Sequence, residues 1–148
     1  VVAQGPGNLG TGTRWGFSGV AAGEAVNAAG ILGGRPVASL RVSGADGRQR
    51  HLGISHHSLT AYGRVALVPA DVVVPVFGPA AGDERGTGGP PGAGGPLEAL
   101  VRVDAGPDLL AALGASPVRL STMGRGLGQD PAAFLAAAAA GVHAAILG

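Results

Sequence analysis

The sequence predicts an α/β fold: a mostly parallel sheet with helices on both faces, in three layers and incomplete at its N-terminus. Three observations lead there. Short Val-rich runs of strand type alternate with stretches of helical spacing, and such alternation implies parallel strands joined by crossover helices. Apolar residues reach 46% of the 148 positions while charged residues make up 13%, which separates the chain from the disordered class. Gly, with 29 residues, and Ala together exceed a third of the chain, so helices can pack close to a sheet.

Taken in order, Val1 to Gln4 reads as a first strand, and Ser18 to Leu32 carries helical spacing with Ser18 able to cap. Pro36 to Val42 and Asp71 to Phe77 are Val-rich strands. Pro75 places the second near an edge or bulge, because proline has no N–H for a ladder. Leu59, Tyr62 and Val65 give Ser58 to Leu67 a weaker helical period. Between Gly78 and Pro96, 12 of 19 residues are Gly or Pro, a composition that buries too little apolar surface to offset ordering and reads as a flexible segment. Leu100 to Val103 is the next strand, Pro107 to Leu113 a short helix with Pro at its first position, and Val118 to Ser121 a further strand. Asp130 and Pro131 form a cap and first-turn pair that opens an Ala-rich helix through about Ile146. Residues 1–148 are expected to be one α/β domain, the C-terminal part of a larger protein.

Composition removes several function classes. All ten basic residues are Arg and nine acids oppose them, so a net charge of +1 supplies no field for nucleic acid. The absence of Cys excludes disulfides, thiolate zinc sites, iron–sulfur ligation and Cys nucleophiles. The longest apolar stretch, Phe134 to Leu147, contains His143 and is too short to span a bilayer, so no membrane partner is expected. Val1 opens an apolar run with neither a charged n-region nor a cleavage-like segment, so no signal peptide is expected and the start looks truncated. A cytoplasmic protein follows.

In an open α/β sheet the ligand crevice lies beyond the carboxyl ends of the strands. After the first predicted strand, Gly5, Gly7 and Gly10 fit GxGxxG, a spacing that presents backbone N–H groups to an anion, and Asn8, Gly12, Thr13 and Arg14 extend the polar stretch. Polar and Gly residues continue to Gly19, and no acid sits about 20 residues on to hold a ribose, so NAD is not expected. After the second strand, Asp46, Arg48, Arg50, His51, Ser55, His56 and His57 fall within twelve positions of a chain otherwise poor in charge. Guanidinium forks can grip phosphate or carboxylate, and imidazole can move a proton near neutral pH. Asp46, His51, His56 and His57 could alternatively ligate a metal, but adjacent His56 and His57 should point apart on regular backbone, so no metal is assigned. The plainer alternative is a solvated loop in which Asp46 pairs with an Arg and Ser55 or His57 caps the next helix. The third stretch offers Ser121, Thr122 and Arg125 among glycines before a helix N-terminus, an anion cradle or an ordinary connection. Glu24 and Asn27, three apart on the first helix, read as a wet stripe, Trp15 and Phe17 as core plugs, and His143 as structural or exposed.

Three blocks, GPGNLGTGTRWGFSGVAAGEAVNAA, SGADGRQRHLGISHHSLTA and SPVRLSTMGRGLGQDPAAFLAAAAAG, resemble the C-terminal half of a bacterial family, the domain of unknown function DUF3866. The resemblance covers nearly everything except the Gly/Pro-rich segment after Phe77. It implies that Gly5 through Gly19 form the family's Gly-rich loop, that Asp46, Arg48, Arg50 and His51 form its Asp–Arg–Arg–His run, and that Ser55, His56 and His57 form its Ser–His–His. Members carry a sizeable N-terminal portion with further α/β elements, and the segment around Thr87 to Pro96 departs from them. The family carries no activity across, and it strengthens the expectations of fold and cytoplasmic location.

Together these features predict an enzyme or enzyme fragment that binds a small anionic molecule, phosphorylated or carboxylated. Arg14, Arg48, Arg50 and Arg125 would hold the anion, the Gly5 to Gly12 amides would bind charge, and His51, His56 or His57 would move a proton with Asp46 orienting one of them. The rival from another class is a noncatalytic sensing or interaction module using the same pocket. A scaffold whose Gly-rich loops serve packing alone stands third.

Overall fold

The computed structural model describes residues 1–3, 9–77 and 100–148. The Gly/Pro-rich segment from Gly78 to Pro96 lies outside them, as do Gly5, Gly7 and Asn8. The described elements run α1 (Ala21–Ile31), preceded by a 3-10 turn at Ser18–Val20, then β1 (Val37–Ser39), β2 (Val42–Ser43), a 3-10 turn at Gln49–His51, β3 (Gly53–Ile54), α2 (His56–Thr60) continuing into a π turn at Ala61–Val65, β4 (Asp71–Val76), β5 (Leu100–Asp104), α3 (Pro107–Gly114), β6 (Ser121–Thr122), β7 (Arg125–Gly126) and α4 (Pro131–Leu147). The fold is mixed α/β around a small parallel sheet of three strands in the order β1-β4-β5.

β4 is the centre of that sheet, and its Val run explains why. Val72 and Val73 are 1% and 0% exposed, so both faces of the strand are covered, the pattern a central parallel strand requires. Val73 packs with Ala139 and Ala140 of α4, alongside Val37, Val101 and Val103, while Val72 packs with Ala38 and with Val26 of α1. On α4 the buried positions Leu135, Ala136, Ala139 and Ala140 recur at helical spacing, and their small side chains let the helix lie close to the strands. Ser39 Oγ donates to the Ala136 carbonyl at 3.5 Å across that contact. Pro75 falls in the central strand rather than at an edge. It is tolerated because β1 stops opposite Val73, leaving β4 paired only with β5 beyond that point.

His143 projects from α4 to Asp71 at the start of β4, Nε2 to Oδ2 2.7 Å, and Arg35 reaches the same oxygen at 2.9 Å. The hydrogen bond from His143, with Arg35 adding to it, outweighs burial and holds the Asp71 carboxyl below its ordinary range. His143 is thus a structural residue that ties helix to sheet. Asn27 is structural too, rather than part of a wet stripe: its Nδ2 donates to the Val65 carbonyl at 3.1 Å and its Oδ1 accepts from Leu67 N at 2.6 Å, closing the end of the π turn. Glu24 is exposed.

Two predicted strands are not found. Val1–Ala3 is irregular, with Val1 and Val2 exposed, and pairs with no strand among the described residues; Gln4 lies outside them. Val118 to Leu120 is also irregular, and only Ser121 joins a strand, in the short antiparallel pair β6–β7. Apolar composition marked these residues, but Val118 remains 66% exposed and gains no burial from a sheet.

Gly23 sets how closely α1 meets the π turn. A Cβ there would stand 2.5 Å from the Ala61 carbonyl oxygen and 2.7 Å from Val65 Cβ. We expect Gly23→Ala to destabilise the protein by about 1–3 kcal/mol through overpacking, although in an open helix the same change stabilises by about 1 kcal/mol. Urea unfolding of the variant gives the sign.

Candidate functional site

Three segments distant in sequence gather at one open pocket of about 390 Å³, lined by Gly10, Gly12, Thr13, Gly16 and Phe17 from the first, Arg41, Arg48, Arg50, His51, His56 and His57 from the second, and Thr122 and Met123 from the third. Each segment reaches it by a local device. The first folds as a hairpin in which Thr11 N donates to the Gly16 carbonyl at 2.7 Å and Ser18 N to the Leu9 carbonyl at 2.9 Å. Thr13 Oγ1 accepts from Gly16 N at 3.0 Å, so part of the loop's backbone is spent internally. Among the described residues of this segment the helical turn begins only at Ser18, after the hairpin. Phe17, 6% exposed, closes the hairpin and stacks on His57 with ring centroids 4.0 Å apart and planes at 8°.

The second segment is held by the antiparallel pair β2–β3, which turns the chain back so that the Gln49–His51 turn and the start of α2 meet. Ser55 is the N-cap of α2 and its Oγ accepts from His57 N at 3.2 Å, the capping role expected of it. The same Oγ lies 2.7 Å from His51 Nδ1. Arg50 Nε donates to His51 Nε2 at 3.4 Å, which leaves that nitrogen as the acceptor and the proton on Nδ1.

His56 and His57 do not point apart, as regular backbone had suggested. Their ring centroids are 4.3 Å apart, and each ring is within 5.0 Å of His51. They occupy the first two positions of α2, where Cα–Cβ bonds tilt toward the N-terminus, so both rings lean into the same space over the cap. Burial first, then the charges of Arg41 and Arg48 and neighbouring His56, pushes the His51 imidazole down to about 4. Burial with His56 and His51 pushes His57 down to about 4, and burial with Arg50 lowers His56. At neutral pH the rings are uncharged.

Asp46 does not orient a histidine. Its carboxylate is taken by Arg48, Nε to Oδ1 and Nη2 to Oδ2 both 2.9 Å, and by Arg48 N at 3.0 Å, with Arg41 at 3.5 Å and Arg125 at 3.7 Å. These hydrogen bonds hold the Asp46 carboxyl well below its ordinary range against the cost of burial. A histidine cannot compete with three guanidinium groups converging on one acid. Arg50, by contrast, is paired with no carboxylate among the described residues.

Other expected residues are placed elsewhere. Arg14 and Ser121 are exposed and do not line the pocket. Ser55, 0% exposed, sits behind the histidines. Arg125 lines a smaller neighbouring cavity with Ser43 and Asp130, and its guanidinium serves Asp46 and Asp130. Asp130 stands at the N-cap position of α4 without capping it by its side chain. Its carboxylate accepts from Ser43 Oγ at 2.5 Å, Gly44 N at 3.0 Å and Arg125 Nε at 3.2 Å instead. Four lining residues were not predicted as site residues, among them Phe17, read from the sequence as a core plug. Arg41 is the one charge within an apolar strand run, which was the available signal. Gly16 and Met123 gave none, although Met123 adopts φ 51 beside Gly124 at φ 76 in the β6–β7 turn, the pair of positive values that a two-residue hairpin demands.

The described residues include no helix long and apolar enough to cross a membrane. The family described as a protein of unknown function, DUF3866, matches residues 1–141. The chain belongs to that family. The match covers nearly the whole chain, including the span from Gly78 to Pro96 that the resemblance had left out, and it shows no restriction to a C-terminal half. No curated protein and no solved structure matches the chain.

Proposed function

We propose that this DUF3866 protein binds a small phosphorylated or carboxylated molecule in the pocket of about 390 Å³ and acts on it as an enzyme. The observation that carries this reading is Arg50: a guanidinium with no carboxylate partner among the described residues, at a pocket whose other cations, Arg41 and Arg48, share the single carboxylate of Asp46. An excess of guanidinium groups over carboxylates favours an anion, and a planar fork suits phosphate or carboxylate oxygens. Thr13 and Thr122 add hydroxyl donors at the rim, and Asp46 keeps Arg48 in place without neutralising the whole pocket. Each uncharged imidazole keeps one lone pair and one N–H, so a ring beside the bound molecule can accept a proton from it. The same reading places the protein in the bacterial cytoplasm, consistent with its lack of Cys, as a sheet layered between helices.

The test is calorimetric titration of chelator-treated protein with inorganic phosphate, phosphate monoesters and small dicarboxylates. We expect saturable binding that Arg50→Ala weakens by about 10-fold or more, the worth of a charge-assisted contact. Absence of binding across the panel overturns the reading. Binding without conversion of any compound assigns the pocket to a noncatalytic sensing module instead.

A further inference from the structure

We propose that His51, His56 and His57 form a binding site for a divalent transition metal ion of the zinc type, at the floor of the anion pocket. One ring nitrogen from each of the three lies within 4.8 Å of the others. His56 Nε2 and His57 Nδ1 are both buried and have no hydrogen-bond partner. A buried polar nitrogen without a partner is costly, and two of them in one cluster with a third histidine call for a common explanation. A cation bound by all three supplies it.

The protonation of the site fits ligation. His51 Nδ1 lies 2.7 Å from Ser55 Oγ, which leaves Nε2 as its ligating nitrogen once the long 3.4 Å contact from Arg50 Nε is given up to the metal. A ligating histidine in metal proteins characteristically gives its other ring N–H to a neighbouring oxygen, which fixes its tautomer and orientation. Phe17 stacked on His57 restrains the second ring, and the cap bond from Ser55 fixes the backbone that carries it. A tetrahedral zinc site with bonds of about 2.0–2.1 Å needs nitrogens about 3.3 Å apart. Binding therefore draws the nitrogens together by rotation of the imidazoles, for which χ2 has broad wells. Three histidines leave the fourth position open to the pocket, the arrangement of catalytic rather than structural zinc sites.

The surrounding guanidinium groups decide what fills that position. Arg41, Arg48 and Arg50 oppose an isolated dication, and Asp46 offsets only part of their charge. A bound anion reaching both the metal and Arg50 completes the balance, so the ion and the anion bind cooperatively. This last step rests on the anion-binding reading; the three-histidine site does not.

The experiment titrates the chelator-stripped, dialysed full chain with Co2+ and Zn2+ before any phosphate is added. We expect one equivalent of Co2+ to give the visible bands of a tetrahedral nitrogen site, and His56→Ala or His57→Ala to lose them. In the wild type, Zn2+ should shift the ring 15N resonances of three of the four histidines and leave His143, bonded to Asp71, unmoved. That measurement stands even where a variant fails to fold. No cobalt bands and no movement of the three resonances, or binding that survives both substitutions, overturns the metal site. Phosphate titration in chelator tests the anion reading separately. With both sites real, phosphate tightens metal binding by the factor with which the metal tightens phosphate.

Discussion

Asp130→Ala should cost about 3–5 kcal/mol of folding stability and weaken binding at the proposed anion pocket as well. Asp130 is 1% exposed and its two oxygens accept from Ser43 Oγ, Gly44 N and Arg125 Nε. Burial opposes its ionisation, and those hydrogen bonds together with the Arg125 charge outweigh the penalty, holding the carboxyl below its ordinary range. Alanine leaves the buried Ser43 hydroxyl without its acceptor and Arg125 with only the longer contact to Asp46, and it releases the start of the Gly44–Arg48 loop from α4. The loop carries Asp46 and therefore the placement of Arg48 and Arg41. Asp130→Asn preserves shape and one acceptor, so it should fall between wild type and alanine. Urea unfolding at pH 7 measures both variants. A loss below about 1 kcal/mol for alanine would show that the clamp is dispensable.

Stability of the chelator-treated protein should also fall steeply between pH 6.5 and 4. In the unfolded chain histidine titrates near about 6.5. Folded His51 and His57 are held down to about 4. Across that window the unfolded state binds protons that the native state refuses, so stability rises with pH and is complete only above about 6.5. The shift of His51, 2% exposed, corresponds to a loss of about 3 kcal/mol on descending to pH 4. The carboxylates Asp46, Asp71 and Asp130 move the other way in pH. Their lowered values keep their contributions intact down to about pH 5, where unfolded carboxylates begin to protonate, and lose them progressively below it. The decline above about pH 5 therefore belongs to the histidines. Urea midpoints at pH 7.5, 6 and 5 should drop in that order; equal midpoints would mean that the cluster is solvated and its rings ordinary.

Much of the scaffold was legible from short-range signals. Pro107 and Pro131 sit at the first positions of α3 and α4, and the Val run of Asp71–Val76 became the central strand. The helix expected from Ser18 to Leu32 appears as the turn at Ser18–Val20 joined to α1. The concentration of Gly, Arg and His in three loops pointed to the segments that line the pocket. What failed were inferences about partners. Val118 to Leu120 looked like a strand but found no neighbour, and Asp46 was assigned to a histidine although arginines from three places reach it. The adjacent pair His56 and His57 was judged from ideal backbone, and the capped helix start turned both rings inward.

The amino-acid sequence alone determined the class of fold, most of its helices and strands, the lack of thiol chemistry and the residues from which a site would be built. Those properties depend on composition and on spacings of a few residues, which caps, prolines and hydrophobic periods express locally. Only the tertiary structure decided which acid clamps which base and which rings meet, because Asp130 meets Ser43 across 87 positions and His143 meets Asp71 across 72. The energy of a buried ion pair or imidazole depends on distances of a few tenths of an ångström, and the packing of α4 against the sheet sets those distances.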